Sequence, residues 1–243
     1  MSNTLKQALK EQEKLGWKVN IPAEPKRGQR IEEKRDGPTA GTIEWSLKKV
    51  FSKPDSYREY LDLQSIMPNH SVENTLLIWA QMENTDNPGD RPWSKDSPER
   101  RNVGRQVAAL VIGSPVRIIP DNSLNCQGFY SLDDCAIFIR TDLDEATEFR
   151  VLANELAVVE MNHADWEITG FEEKSAAYIV CKRFGVDTSG FNFDEAPEYP
   201  DLCDSSQLRS MLNETHLTAN ALCLRTETVL LRQMHKTNSK PER

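Results

Sequence analysis

The 243 residues predict an α+β protein: a helical N-terminal domain with a few strands, followed by a small sheet packed on helices. Three observations carry this. Apolar residues recur at three- and four-residue spacing through most of the chain, the period of amphipathic helices. Between residues 104 and 140 that period gives way to short apolar runs, VAALVIG, PVRIIP, GFYS and CAIFIR, bounded by Gly, Pro and Asp. Helical spacing then returns and runs nearly to the C-terminus.

In chain order, a short N-terminal helix leads into residues 18–41, KVNIPAEPKRGQRIEEKRDGPTAG, rich in charge, Pro and Gly and without apolar periodicity. This composition reads as a linker or arm. Order resumes at Thr42. TIEWSLKKVF and DSYREYLDLQSIM form two helices, broken at Pro54–Asp55, with Tyr57, Tyr60, Leu61 and Gln64 on one face. SVENTLLIWAQMEN is a third, with Ser71 as N-cap, its hydroxyl accepting from the amide of residue 73 or 74. Residues 84–102 are a polar loop.

VAALVIG and PVRIIP then read as strands, with Gly113–Ser114 between them. GFYS and CAIFIR flank Leu132–Asp133–Asp134 as a hairpin. Asp142 and Glu145 give a D-x-x-E start to a helix whose core stripe is Phe149, Leu152, Leu156 and Val159. Another helix runs from about Phe171 to Phe184 and stops at Gly185. Leu208, Leu212, Thr215, Ala219, Leu222, Thr226 and Val229 mark one long C-terminal helix or a broken pair. The expected divisions are therefore residues 1–41 (helix and arm), 42–120, 121–236 and a frayed 237–243.

Composition narrows the function classes. With 38% hydrophobic and 28% charged residues the chain fits a soluble globular protein. No apolar run approaches the roughly 18 residues of a membrane helix, and MSNTLKQALKEQEKLGW lacks the apolar core of a secretory signal. The five cysteines form no CxxC pair, so reduced thiols in a cytoplasmic protein are expected. Residues 1–120 hold 19 Lys+Arg against 16 Asp+Glu, a net of +3; residues 121–243 hold 11 against 22, a net of −11. Only the first half is suited to a polyanion, and the split points to parts with different partners. No nucleophile elbow surrounds a Ser or Cys, and no P-loop pattern is present.

The stretches YREYLDLQSIMPNHSVENTLLIWAQ (residues 57–81) and GRQVAALVIGSPVRIIP (104–120) carry a Ser-x-x-Asn-x-x-Leu-Ile-x-x-x-Gln core, here Ser71, Asn74, Leu77, Ile78 and Gln81. Residues 128–193 add a hairpin, then VLANELAVVEMNH, then FEEKSAAYIVCKRFG. Together, and in this order, they resemble the antirestriction proteins of the ArdC type and related mobile-element proteins. Those join an N-terminal single-stranded-DNA-binding domain to a zincin-like metallopeptidase domain of the ImmA/IrrE kind. The resemblance covers most of residues 42–232.

In that family an HExxH helix places two imidazoles one turn apart on Zn²⁺, with the glutamate between them as general base. Here the histidine positions are Asn154 and Val158, and the general-base position is Glu155. Glu172 aligns with the third ligand, and Glu173 stands beside it. Valine cannot ligate, so the resemblance implies a pseudo-metallopeptidase without zinc or any other cofactor. The N-terminal likeness implies a groove of cations and aromatics for DNA, with Lys48, Lys49, Arg58, Trp79, Trp93, Arg100, Arg101 and Arg105 as candidates. The expected protein is thus a catalytically inactive accessory factor of a mobile element or phage, DNA-binding or antirestriction-related. The alternative is an interaction module whose acidic second half binds a host defence or regulatory protein. An active zinc metallopeptidase is third and requires bound metal.

Overall fold

The computed structural model describes residues 3–14, 38–83, 103–161 and 170–238. The chain is α+β, mostly helical with one three-stranded mixed sheet. It divides into two compact units that interleave along the sequence. Among the described residues no helix is long and apolar enough to cross a membrane.

The first unit comprises Met1–Val19, Pro98–Thr188 and Thr218–Arg243. Helix α1 (Asn3–Lys14), the expected N-terminal helix, belongs to it. Its Leu5 and Ala8 are buried, and Gln12 Nε2 donates to the Val111 carbonyl at 3.0 Å. That carbonyl lies in the run VAALVIG, which is no strand: Val103–Gly113 is a helix, α5. A short apolar run cannot distinguish a strand from a helix buried on several sides. Here Gln106, Val107, Ala109, Leu110 and Val111 are all buried, and Gln106 Nε2 donates to the Phe184 carbonyl at 3.0 Å.

The sheet follows as expected from the other runs, with strands β1 (Arg117–Pro120), β2 (Gly128–Ser131) and β3 (Ala136–Ile139). Their order is β1-β3-β2; β1 runs parallel to β3, and β2 pairs antiparallel with it as an edge strand. Helix α6 (Glu145–Met161) packs on β2 and β3 and on helix α7 (Phe171–Phe184). Phe149, Leu152, Leu156 and Val159 are buried, as their spacing predicts. The α6 cap is Asp144 and not Asp142. Asp144 Oδ1 accepts the N–H groups of Ala146 and Thr147, both at 3.0 Å, whereas Asp142 is ion-paired with Arg140. Helix α7 stops at Gly185, whose φ of 67° is the left-handed conformation glycine adopts without strain.

The second unit comprises Asn20–Ser97 and Ser189–Leu217. Helix α2 (Pro38–Val50) begins four residues before the expected Thr42, so the last residues of the supposed arm are its first turn. Helices α3 (Pro54–Ile66) and α4 (Val72–Glu83) follow. Ser71 caps α4 as predicted, its Oγ accepting the Asn74 N–H at 3.3 Å. Tyr57, Tyr60, Leu61 and Gln64 are buried together with Leu47, Phe51, Trp79 and Phe193. After a 3-10 turn (Ala196–Glu198) and the short α8 (Tyr199–Leu202), one unbroken helix, α9 (Ser205–Asn238), ends the described chain. Residues 84–102 lie outside the described residues.

Candidate functional site: a carboxylate clasp on the sheet edge

Helix α6 buries Leu152, Ala153, Leu156, Ala157 and Val159 and leaves Asn154, Glu155 and Val158 half-buried on its remaining face. The i and i+4 relation puts Asn154 and Val158 one turn apart, so the sequence does place its would-be ligands together. Val158 has no donor atom. Asn154 turns its amide toward its neighbour, Nδ2 donating to Glu155 Oε1 at 3.2 Å. Among the described residues no cluster of three or more His, Cys, Asp or Glu could hold a metal ion. This donor set does not fit zinc.

Glu155 has a different occupation. Its Oε2 accepts the backbone N–H of Tyr130, on edge strand β2, at 2.9 Å. Both carboxylate oxygens thus hold a hydrogen bond, one to the sheet and one along the helix. Helix and edge strand meet closely here: a Cβ on Gly128 would lie 2.7 Å from Val151 Cγ1. Burial raises the Glu155 pKa above the usual carboxyl range. The Asn154 and Tyr130 hydrogen bonds draw it partly back, and the charge of Glu173 raises it further.

The two adjacent α7 glutamates differ in burial. Glu172, the residue aligned with the third metal ligand, is half-buried. Glu173 is 1% exposed, and among the described residues neither of its carboxylate oxygens meets a partner at full hydrogen-bond geometry. Burial lifts its pKa too, and the backbone N–H groups of Glu173 and Gly170 act in the opposite direction. Sequence order alone could not choose between adjacent glutamates about 100° apart on a helix. Glu160, further along α6, contacts Arg225 at 2.6 Å, an ion pair without hydrogen-bond alignment.

The residues expected to meet DNA are divided. Lys48, Lys49, Arg58 and Trp79 lie in the second unit, and Arg105 lies exposed on α5 in the first. Trp79 is wholly buried, so its ring offers no face to a base. Arg58 is half-buried, with Nη2 donating to the Phe191 carbonyl at 3.0 Å. Trp93, Arg100 and Arg101 lie outside the described residues. Among the described residues the tryptophan that faces solvent is Trp45, 46% exposed and absent from the sequence candidates. Its signal was available: Ile43, Leu47 and Val50 mark the buried face of α2, and Trp45 falls off it beside Lys48 and Lys49 at i+3 and i+4.

No family model, curated protein or solved structure matches the chain.

Proposed function

We propose that this protein is a non-catalytic, metallopeptidase-like accessory factor that binds single-stranded DNA, in the manner of antirestriction proteins of mobile elements or phages. The observation that carries the DNA reading is the outer face of α2. An exposed indole stands within one helical turn of Lys48, which is exposed, and Lys49, which is half-buried. Bases stack on an exposed aromatic face irrespective of sequence, and neighbouring lysines neutralise the phosphates on either side. The opposite face of α2 is core, so the helix presents this group on a rigid support. The non-catalytic part of the reading is supported by Val158 and Asn154, which stand where the resemblance places two imidazole ligands: valine has no donor atom, and the Asn154 amide donates to Glu155.

The test is fluorescence anisotropy of a labelled single-stranded oligonucleotide at several salt concentrations. Two lysine–phosphate contacts predict a slope of about −1.4 in log affinity against log salt. Absence of binding at low salt overturns the reading. A second reading rests on the net charge of −11 over residues 121–243, which suits a basic host defence or regulatory protein. It predicts a partner whose capture depends on that half alone.

A further inference from the structure

The solvent face of α9 repeats every seven residues. Leu224 and Leu231 are 66% and 56% exposed, and Leu217, one heptad earlier on the same unbroken helix, is 57% exposed. Isolated exposed leucines need no explanation, but three at a strict seven-residue interval form a seam. With these leucines at heptad position d, position a holds Ala221, Thr228 and His235. Thr228 satisfies its own hydroxyl, Oγ1 donating to the Leu224 carbonyl at 2.7 Å, so only its methyl group is left to pack. From Thr218 onward the buried residues of α9 are Thr218, at the flanking e position, and Ala219, Leu222, Cys223 and Thr226, which lie on the other side. This seam is therefore no part of the chain's own core.

Flanking charge says what covers it. In the same register Glu227 is a g position and Arg232 an e position, five residues later. Residues five apart on one helix point about 140° from each other, so these two cannot pair within a chain. In a parallel two-stranded coiled coil, g of one helix meets the following e of the other. Glu227 would then face Arg232 of a second copy, and by symmetry the reverse pair forms. Arg232 is exposed, and Glu227 keeps a 40% exposed side chain while contacting Arg183 at 3.1 Å.

We propose that this face is a self-association surface: two copies pair in parallel along residues 217–235 of α9. The leucines form the d layers, Ala221 and Thr228 allow close approach, and two Glu227–Arg232 pairs fix direction and register.

The test is sedimentation equilibrium on the full chain up to about 100 μM, a range that reveals micromolar pairing. A dimer is expected. Leu224→Glu with Leu231→Glu should raise its dissociation constant at least about tenfold, because charges enter the seam. Circular dichroism should show unchanged helix content, since both positions are exposed. Arg232→Glu should weaken the dimer about tenfold, and adding Glu227→Arg should restore it. A monomer throughout the range overturns the proposal, as does a dimer indifferent to the leucine changes. A dimer that needs the leucines but ignores Arg232→Glu overturns the parallel register.

Discussion

Glu155 Oε2 accepts the Tyr130 N–H at 2.9 Å, so a helix carboxylate satisfies a backbone donor on the open edge of the sheet. The residue in the general-base position therefore fastens α6 to β2. Replacing it with alanine should cost about 1–3 kcal/mol, the usual penalty for orphaning a part-buried donor. Glu155→Gln retains an oxygen for Tyr130 and should be close to neutral. Urea unfolding of the two variants separates the cases, and a Glu155→Ala protein as stable as the parent would argue against the clasp.

The buried Glu173 makes a pH prediction. The pKa values of Glu155 and Glu173 are both raised, chiefly by burial. The folded chain therefore binds these protons more readily than the unfolded chain does. Stability should fall as pH rises from the ordinary carboxyl range through the raised folded values, and be restored as pH falls back. Glu173→Gln removes a buried charge of fixed sign, so its melting temperature should exceed the parent's by a few degrees at neutral pH. The gap should close toward about pH 4. Melts across this range check it; a constant gap would assign the effect to packing instead.

Gly128 sits where strand and helix touch. A Cβ there would stand 2.7 Å from Val151 Cγ1 and 2.9 Å from the Phe138 carbonyl oxygen, and the second contact is with backbone that cannot swing aside. Gly128→Ala should destabilise by about 1–3 kcal/mol, as overpacking does. Chemical denaturation reads this directly.

The two aspartates before α6 should behave differently. Asp144 holds two backbone amides and the Thr147 hydroxyl, and these hydrogen bonds lower its pKa. Asp144→Ala should cost about 1 kcal/mol, the typical value of an N-cap. Asp142→Ala removes only a surface ion pair and should stay within about 0.5 kcal/mol of the parent.

These aspartates also show how much the sequence could say. Elements with a long, clear period were legible: the stripes of α3, α6 and α9, the hairpin, the Ser71 cap and the Gly185 stop all stand where spacing put them. Two kinds of residue were not. The run VAALVIG has no period to read, because packing against α1 and α6 buries it on several sides, and strand and helix then look alike. Choices between near neighbours, Asp142 or Asp144 before the helix and Glu172 or Glu173 within one, depend on local geometry over one or two residues that propensity does not fix. For the candidate DNA face the deciding feature is exposure, which the apolar stripe of each helix sets: the stripe of α4 buries Trp79, and that of α2 turns Trp45 outward.

The most direct measurement is therefore a single-stranded-DNA titration comparing the parent with Trp45→Ala and Glu155→Gln. The account predicts that Trp45→Ala loses about 1–3 kcal/mol of affinity, roughly 5- to 150-fold, at unchanged stability. Glu155→Gln should bind as the parent does. Trp45→Ala binding with parental affinity would contradict the central claim.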